Sequence, residues 1–406
     1  MKVRAVAGIH ELPAAGAMVG KIFGSYSADE YTRIARFREP SEGYRCEHTR
    51  IVEYNGKIVA HVLILPRTMR IGSRVVSMGG IAGVCTDKKY RMRGFGLAVM
   101  RDAVRYMRDE ARLHTSLLFG IRDFYHRFGY AVVMGDCLTR ISVKNCLRLS
   151  DEAVGFKARR ATKKDGRAIL RLHERDDLTR TGSIVRKPGD PLGPAQLLSK
   201  TTVIVDDRGR VRAYFVHGRL GQQWDIIEVG IGDRKVRPAL LVAIGRTIRR
   251  LGQQDLVIHM PHDHPFGVFC ASQDTIQNTH YTRNGGPMLA VLRLADTFQQ
   301  VASELSLHLQ RSCFAGWSGN IGIATEIGSV RLRVSKGEVS VVRPRSAPKR
   351  PDLRCSSGRV GQLLMGYSDI QTLAMESDVR VRKESIPIVN ALFPKCLAYC
   401  WPADRF

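Results

Sequence analysis

Apolar and polar positions along the first part of the chain predict strands followed by a helix. Two strand-like runs, IVEY and KIVAHVLIL, flank Asn55 and Gly56, a dipeptide that favours a type I′ hairpin turn. The run VVSMGGIAGVCT predicts a further strand, and a basic loop that contains glycine follows it. Helical spacing then appears at Leu97, Met100, Val104, Met107 and Ala111. The runs SLLFG, YAVVM and LTRISV predict the closing strands of this part, with a short helix at DFYHRFG.

The middle of the chain repeats this order of elements. Residues 158–174 have a helical pattern, and TTVIVDDRGRVRAYFVHGRL predicts a hairpin that turns near residues 207–209. The runs WDIIEVGIGD, ALLVAIGRTIRRLG and DLVIHM predict a strand, a helix and a strand. The loop does not repeat, because DRKVRP between Gly232 and Ala239 contains no glycine pair. The middle segment is therefore predicted to be a degenerate duplicate of the first.

After Leu294 the pattern changes to an amphipathic helix, a strand-rich stretch and a helix at VGQLLMGY. A chain of 406 residues exceeds what one hydrophobic core usually organises. These observations predict three domains, at residues 1–145, 146–293 and 294–406. The predicted fold class is α/β (α+β), with mixed central sheets flanked by helices.

Composition and charge narrow the class of protein. The net charge is +26, from 64 Lys and Arg against 38 Asp and Glu, which suits an anionic partner. The basic residues are spread over every segment without an aromatic-basic motif, which argues against dedicated nucleic-acid binding. The nine cysteines are scattered with no C-x-x-C pair, and no apolar run is long enough to cross a bilayer. These features predict a cytoplasmic protein with reduced thiols and no membrane span.

The basic loop has the sequence Arg91-Met92-Arg93-Gly94-Phe95-Gly96 and lies between a predicted strand and a predicted helix. Glycines let backbone N–H groups approach a pyrophosphate closely, and the helix N-terminus adds partial positive charge. The loop lacks the Gly-Lys-Ser/Thr of a Walker A motif, and Val99 replaces the third glycine of a dinucleotide fingerprint. An exposed basic turn that caps a helix would have the same sequence, so both interpretations stay open.

Over roughly the first 140 residues, this loop and its surroundings resemble the GNAT acetyltransferase superfamily. The resemblance implies that Arg91, Gly94 and Gly96 bind the pyrophosphate of acetyl-CoA, and that the preceding strand offers its backbone to the pantetheine arm. The implied cofactor site comprises that strand, the loop, the first helical turn and the end of the next strand: Val84, Cys85, Thr86, Arg91, Met92, Arg93, Gly94, Phe95, Gly96, Leu97, Gly120 and Ile121.

Downstream, the superfamily has a tyrosine followed by a Phe-Gly-aromatic ending, which Tyr125, Phe128, Gly129 and Tyr130 match. A phenol there would make the thiolate of CoA a better leaving group by donating a proton to it. The alternative is that Tyr125 is a packing aromatic residue with a satisfied hydroxyl. Its position after the strand SLLFG favours the acid role.

The whole chain resembles the enhanced intracellular survival (Eis) family, in which two GNAT-like units precede a sterol carrier protein-like domain. Residues 363–367, 392–394 and 404–406 look like landmarks of that family. The resemblance implies that the terminal carboxylate, here that of Phe406, is the base and Tyr125 the acid. An α-carboxylate is a weak base unless it is desolvated, and a nearby Arg405 would lower its pKa further. The family resemblance also implies a closed homo-oligomer, a hexamer.

The predicted function is transfer of an acetyl group from acetyl-CoA to a primary amine by direct attack in a ternary complex. The resemblance leaves two classes of acceptor open, a small molecule such as an aminoglycoside or a lysine side chain. Because a protein of charge +26 repels polycations, an aminoglycoside would need a locally acidic pocket. The alternative functions are a lipid or sterol carrier and an RNA-associated basic protein.

Two further groups of residues are predicted to have no catalytic role. The sequence HMPHDH from His259 to His264 matches no zinc-binding spacing, so no metal site is predicted and these histidines are expected to be solvated or structurally bonded. Cys85 lies in the cofactor-facing strand without an evident histidine partner, which indicates a small apolar residue rather than a nucleophile.

Overall fold

The computed structural model describes residues 1–24, 45–186, 196–344, 346 and 349–406. In chain order, the strands are β1 Lys2–Ala5, β2 Thr49–Tyr54, β3 Lys57–Ile71, β4 Arg74–Thr86, β5 Thr115–Gly120, β6 Ala131–Val132, β7 Asp136–Ser142, β8 Phe156–Arg160, β9 Thr201–Asp206, β10 Val211–Leu220, β11 Gln223–Ile231, β12 Asp255–His259, β13 Ile276–His280, β14 Gly286–Val291, β15 Gly319–Thr325, β16 Gly328–Ser335, β17 Glu338–Val342, β18 Leu353–Arg354 and β19 Arg380–Val381. The α-helices are α1 Leu12–Phe23, α2 Phe95–Arg105, α3 Val143–Leu147, α4 Gly166–Asp177, α5 Gln196–Ser199, α6 Arg237–Arg250, α7 Pro265–Ala271, α8 Leu294–Gln310, α9 Ser357–Leu364, α10 Ile370–Leu373 and α11 Ile386–Leu392.

The described residues divide into two compact units. The first unit contains Met1–Val133, Thr282–Cys396 and Phe406, and the second contains Met134–Tyr281 and Leu397–Arg405. No helix in the described part of the chain is long and apolar enough to cross a membrane.

A seven-stranded sheet organises the first unit, in the order β1-β2-β3-β4-β5-β14-β6. The strands from β1 to β4 are antiparallel, β4 and β5 are parallel with α2 between them in the chain, and β14 is antiparallel to both β5 and β6. The predicted hairpin forms: Asn55 and Gly56 both have positive φ, at 49° and 70°, as a type I′ turn requires.

The second unit repeats this topology in a seven-stranded sheet of order β13-β7-β12-β11-β10-β9-β8. Here β11 and β12 are the parallel pair, with α6 between them in the chain. The turn between β9 and β10 forms where the sequence predicts it, with Gly209 at a φ of 72°. The tandem arrangement of two related folds is therefore present.

In each sheet, one strand comes from a segment of the chain that was predicted to belong to the other sheet. The segment LTRISV was predicted to close the first sheet, but β7 lies in the second sheet beside β12. Conversely, β14 lies in the first sheet between β5 and β6, although its residues precede the predicted boundary at residue 293. The two strands take equivalent places in the two sheets, and their alternating patterns do not distinguish one sheet from the other.

A second correction concerns residues 158–174, which were predicted to be helical throughout. The helix α4 begins only at Gly166, and residues up to Arg160 form β8 and pair with β9. Pairing with a neighbouring strand decides the conformation here, against the local helical pattern.

The remainder of the first unit forms a five-stranded sheet of order β17-β16-β15-β18-β19, against which α8 packs. The side chain of Glu304 on α8 accepts hydrogen bonds from the N–H (2.9 Å) and the hydroxyl (2.5 Å) of Ser73, in the turn between β3 and β4. On α9, Gln362 Nε2 donates to the carbonyl oxygen of Val132 on β6 at 3.0 Å. The predicted α/β (α+β) class, with mixed sheets flanked by helices, is confirmed.

Candidate active site

The candidate site begins where the parallel strands β4 and β5 separate. Their pairing runs from Met78 with Thr115 to Ile81 with Leu118 and goes no further. Beyond this point β4 continues to Thr86, bonded to β3 on one side, and β5 continues to Gly120, bonded to β14. In the described part of the chain, no strand pairs with the edge of β4 that faces β5 after Ile81. Backbone groups on that edge are therefore available to an extended ligand.

A β-bulge in β4 coincides with this separation. Leu63 on β3 pairs with Ala82 and His61 pairs with Cys85, so β4 has one residue more than β3 across this step. Gly83 has a φ of 58°, which favours glycine. The ring nitrogen Nδ1 of His61 lies 2.8 Å from the carbonyl oxygen of Gly83, and burial lowers the pKa of His61 to about 4. A neutral His61 thus donates this hydrogen bond and fixes the bulge.

The basic loop leads from the end of β4 into the N-terminus of α2. Gly94 caps the helix with a φ of 79°, a conformation that residues with a side chain adopt only with strain. A Cβ at Gly96 would lie 3.1 Å from Thr86 Oγ1, so a glycine lets the helix start close to the strand. The first N–H groups of a helix have no partners within it. The loop thus presents the N–H groups of α2 beside the end of β4, an arrangement suited to an anion.

The two arginines of this loop have different surroundings. Arg91 is exposed, and its Nε lies 3.5 Å from the carbonyl oxygen of Thr86. The guanidinium of Arg93 lies 4.8 to 5.6 Å from the centres of three aromatic rings, those of Tyr54, Tyr90 and Phe95. It also donates to the hydroxyl of Tyr54 at 3.1 Å. Cation–π contacts of this kind fix the conformation of the loop.

Tyr125 opens a 3-10 turn after β5, and its ring lies against Gly120. A Cβ at Gly120 would be 2.2 Å from the ring carbon Cε2, so Gly120 is small because Tyr125 packs there. The ring makes edge-to-face contact with Phe124 at 4.9 Å. Burial, with a smaller contribution from Cys85, raises the pKa of Tyr125 to about 12. Its hydroxyl has no hydrogen-bond partner among the described residues, so it is a protonated phenol able to donate.

Tyr130 is also buried, but its hydroxyl has a hydrogen-bond partner. Its hydroxyl donates to Ser116 Oγ at 2.6 Å, and Ser116 Oγ donates to the carbonyl oxygen of Gly79 at 2.6 Å. Of the two tyrosines, only Tyr125 therefore has a hydroxyl that is not already engaged in the core.

The ring of Phe406 lies on the face of β4. A Cβ at Gly80 would be 2.6 Å from the ring atom Cζ of Phe406, and the ring meets Phe119 of β5 edge to face at 5.8 Å. Gly80 and Phe119 thus form a seat for Phe406 at the parallel part of β4 and β5. The ring of Phe406 therefore lies on the strands that also carry Cys85 and Gly120, the neighbours of Tyr125.

Two residues of the predicted site have surroundings that the sequence did not suggest. Ile121 is 70% exposed and Met92 is fully exposed. The guanidinium of Arg405 lies 2.7 Å from Asp136 Oδ1.

Cys85 is buried, and burial raises the pKa of its thiol to about 12. The thiol therefore stays protonated at neutral pH, which does not favour a nucleophile. Its backbone lies on the edge of β4 that faces β5.

Among the described residues of the second unit, the loop before α6 does not match the basic loop of the first unit. Asp233 caps the turn that leads into α6 by accepting a hydrogen bond from the N–H of Lys235 at 2.8 Å, and it also pairs with Arg212. Asp87 makes the same cap in the first unit, where it accepts from the N–H of Lys89 at 2.9 Å, so this carboxylate does not distinguish the two copies. The degenerate character of the second copy rests on the missing glycine pair.

Two histidines of HMPHDH, His259 and His264, have separate partners. His259 Nε2 lies 3.0 Å from Asp225 Oδ2. His264 caps α7 by accepting from the N–H of Phe266 at 3.2 Å, and its Nε2 lies 3.3 Å from Asp176 Oδ2. These two histidines are structurally bonded.

Two segments of the chain match known protein families. Residues 9–133 match the family of acetyltransferase (GNAT) domains, and residues 323–401 match the sterol carrier protein domains. The chain thus contains a GNAT acetyltransferase domain followed by a sterol carrier protein domain, as the resemblance predicted. No curated protein sequence matches the chain.

Solved structures show the same fold over the whole chain. A probable N-acyltransferase from Enterococcus faecalis aligns with a TM-score of 0.78 at 15% identity, covering 100% of this chain and 99% of that one. A GCN5-related N-acetyltransferase from Anabaena variabilis aligns with a TM-score of 0.76 at 14% identity, covering 100% of both chains. Eis1 from Mycobacterium abscessus aligns with a TM-score of 0.67 at 14% identity, again over 100% of both chains.

Several residues that shape the site carry no recognisable sequence signal. His61, Ser116 and Phe119 lie in ordinary strand patterns, and their contacts arise only from strand register. Gly80 was part of an apolar run, and only the bulky residue that lies over it explains its size. The aromatic character of Tyr54, Tyr90 and Phe95 was visible, but their convergence on Arg93 was not.

The contrast between the two tyrosines predicts different effects on stability. Tyr130→Phe should lower the free energy of unfolding by about 1–2 kcal/mol, because it removes a buried hydrogen bond. Tyr125→Phe should change it by less than about 0.5 kcal/mol, since no hydrogen bond is lost. Urea denaturation followed by circular dichroism measures both values. Equal losses in the two variants would contradict the assignment of the free hydroxyl to Tyr125.

Proposed function

We propose that this protein is an acetyl-CoA-dependent N-acetyltransferase that acts on a primary amine in a ternary complex. The observation that carries the proposal is the edge of β4 that has no strand partner among the described residues. This edge runs from the N-terminus of α2 towards Tyr125, whose hydroxyl has no hydrogen-bond partner in the same part of the chain. This edge offers a linear set of contacts for a long ligand with an anionic end and a thioester end.

The residues present fit acetyl-CoA along this edge. The N–H groups from Gly94 to Leu97, with the charge of Arg91, would hold the pyrophosphate. Phe95 is buried and contributes its backbone only. The backbone of Val84, Cys85 and Thr86 would pair with the amide groups of the pantetheine arm as a neighbouring strand does. The loop itself contains Met92 and Arg93. Gly120 ends β5, and Ile121 follows it.

The acceptor amine must lose a proton before its nitrogen attacks the thioester carbonyl. We assign this proton to the α-carboxylate of Phe406, whose ring is seated on Gly80 and Phe119. An α-carboxylate is a weak base in water, so this role requires that water be excluded from the carboxylate in the ternary complex. Backbone N–H groups near Val84 would polarise the carbonyl as the new C–N bond forms.

Collapse of the tetrahedral adduct breaks the C–S bond and releases CoA as a thiolate. Tyr125 would donate its proton to that sulfur, since burial keeps the phenol protonated. The second proton of the amine nitrogen would leave as the amide forms and return to the phenolate of Tyr125. Cys85 would not form an acyl-enzyme, because its thiol is also held protonated. The proposed reaction is thus a direct transfer between the two substrates.

The acceptor class stays open between a small-molecule amine and a lysine side chain. Neither the lipid-carrier nor the RNA-binding alternative has a comparable constellation among the described residues. A closed homo-oligomer and a cytoplasmic location remain predictions, and light scattering tests the first of them.

The phosphate loop is tested by Gly94→Asp. An aspartate adds negative charge and a strained φ where the pyrophosphate approaches, so acetyl-CoA binding should be lost. Isothermal titration calorimetry measures the affinity, with one site per chain expected for the unchanged protein.

Gly209→Asp is the matched control for this variant. Gly209 also has a positive φ (72°) and no atom within 4 Å of a built Cβ, but it lies in the turn between β9 and β10. The control should bind acetyl-CoA normally. Normal binding by Gly94→Asp would remove the loop from the cofactor site.

The acid role is tested by Tyr125→Phe. We expect kcat to fall by about 10²–10³, because one proton transfer is lost while the ring is kept. Since the pKa of Tyr125 is raised to about 12, the phenol stays protonated and kcat should show no alkaline fall up to about pH 10 in the unchanged enzyme. Steady-state kinetics over pH 7–10 checks both points.

Cys85→Ala serves as the control and should keep nearly full kcat. A fully active Tyr125→Phe, or a Cys85→Ala variant that loses turnover, would overturn the proposed roles.

The base role is tested at the last residue. A short Gly-Ser extension moves the carboxylate beyond hydrogen-bond reach, because one residue spans about 3.3–3.6 Å. The extended enzyme should lose kcat by about 10²–10⁴ with its affinity for acetyl-CoA unchanged. Phe406→Ala keeps a carboxylate at the same chain position and should lose less. Full turnover by the extended enzyme would eliminate the carboxylate as the base.

A further inference from the structure

The second unit contains the same separation of parallel strands as the candidate active site. β11 pairs with β12 only at Ile226 and Ile258. Immediately afterwards β11 bulges, since His217 on β10 pairs with Ile226 while Val216 pairs with Glu228, which leaves Ile227 as the extra residue. The second copy thus opens at its parallel pair as the first copy does at β4 and β5.

Residues 397–405 of the chain lie at the carboxyl ends of these two strands. Trp401 is 1% exposed, and its ring lies 5.7 Å from that of His264, which begins the helix after β12. The indole Nε1 donates to Asp177 Oδ2 at 2.8 Å, and the N–H of Tyr399 donates to the carbonyl oxygen of Thr181 at 2.8 Å. The 3-10 turn Pro402–Asp404 packs against β11 itself.

A buried ionic cluster joins this segment to the bulge. Glu228 is fully buried, and Arg186 donates to both of its carboxylate oxygens, at 2.8 and 2.6 Å. The Nε of the same guanidinium donates to Asp404 Oδ1 at 2.8 Å, and the hydroxyl of Tyr214 donates to Glu228 Oε1 at 2.5 Å. Burial would raise the pKa of Glu228, but the positive charge of Arg186 outweighs it and lowers that pKa.

The composition of the cluster also resembles a metal site. One ligand atom each from His173, Glu228 and Asp404 lie within 4.8 Å of one another. The guanidinium of Arg186 already supplies positive charge to both carboxylates, and charge repulsion opposes a divalent cation beside it. The buried Arg186, already paired with Glu228, is therefore placed to hold the carboxylate of Asp404 as well.

We infer that the second GNAT-like copy is an intramolecular receptor for residues 397–405, which take the place that an acyl-CoA takes in an active copy. The recognised features are two aromatic side chains, Tyr399 and Trp401, and the carboxylate of Asp404. The loop before α6 has no glycine pair like that of the basic loop, and the group that lies at the ends of β11 and β12 is a peptide segment. The comparison with an acyl-CoA rests on the proposed function of the first unit, whereas the experiment below tests the second unit alone.

The experiment uses thiol alkylation of the full-length chain, read out for each cysteine by mass spectrometry. Cys400 is buried within the segment, whereas Cys146 and Cys270 are buried in the core of the same unit. These two thiols report opening of the unit as a whole. Alkylation of Cys400 alone reports release of the segment.

The test variant is Asp404→Asn, which leaves the paired Arg186 and Glu228 in place. Removing the charge should speed alkylation of Cys400 about tenfold or more, because hydrogen bonds between charged groups are the stronger ones. The rates at Cys146 and Cys270 should not change. Asp233→Asn, which breaks the ion pair with Arg212 elsewhere in the unit, should leave the rate at Cys400 at its original value.

Two results would overturn the inference. An unchanged rate at Cys400 in Asp404→Asn would mean that the ionic cluster does not hold the segment. Acceleration of Cys400, Cys146 and Cys270 together would mean that the segment opens only when the whole core opens, as an ordinary part of the hydrophobic core does.

Discussion

The candidate site depends on one feature of the sheet, which is that the parallel strands β4 and β5 stop pairing partway along their length. β4 and β5 pair as far as Ile81 and Leu118. Beyond the bulge at Gly83, β4 continues to pair with β3. The neutral, buried His61 fixes this bulge by donating to the carbonyl oxygen of Gly83. Because the strands separate, one backbone edge has no strand partner in the described residues. The helix α2 begins beside that edge, and Tyr125 lies at the end of the other strand.

The parallel strands separate in both copies, but the residues beside the separation differ. In the first unit, the loop offers glycines, an exposed arginine and a helix N-terminus, which suit a polyphosphate. In the second unit, the loop before the corresponding helix has no glycine pair, and Trp401, Tyr399 and the pair of Arg186 and Asp404 lie at the ends of the separated strands. A buried arginine between two carboxylates is costly to desolvate unless every charge has a partner. The second copy therefore keeps the architecture of an acetyltransferase with the chemistry of a peptide-binding site.

The sequence predicted local features well and long-range ones poorly. The turn at Asn55 and Gly56, the basic loop and the repeated order of elements depend on residues close together in the chain, and all three are present. The exchange of β7 and β14 between the sheets was missed, because a strand's alternating pattern does not specify which sheet receives it. Residues 158–160 were wrongly predicted to be helical because their pairing with β9 overrides local preference. The seat of Phe406 on Gly80 and the cluster around Arg186 join residues far apart in sequence, and residue types alone do not reveal them.

The central claim is that acyl-CoA binds at the separated strands of the first copy and not at those of the second. Hydrogen exchange of the full-length chain, measured with and without saturating CoA, tests this at the level of backbone amides. The account predicts slower exchange at residues 84–98 and no change at residues 227–240. Slower exchange at residues 227–240, or no change at residues 84–98, would contradict it.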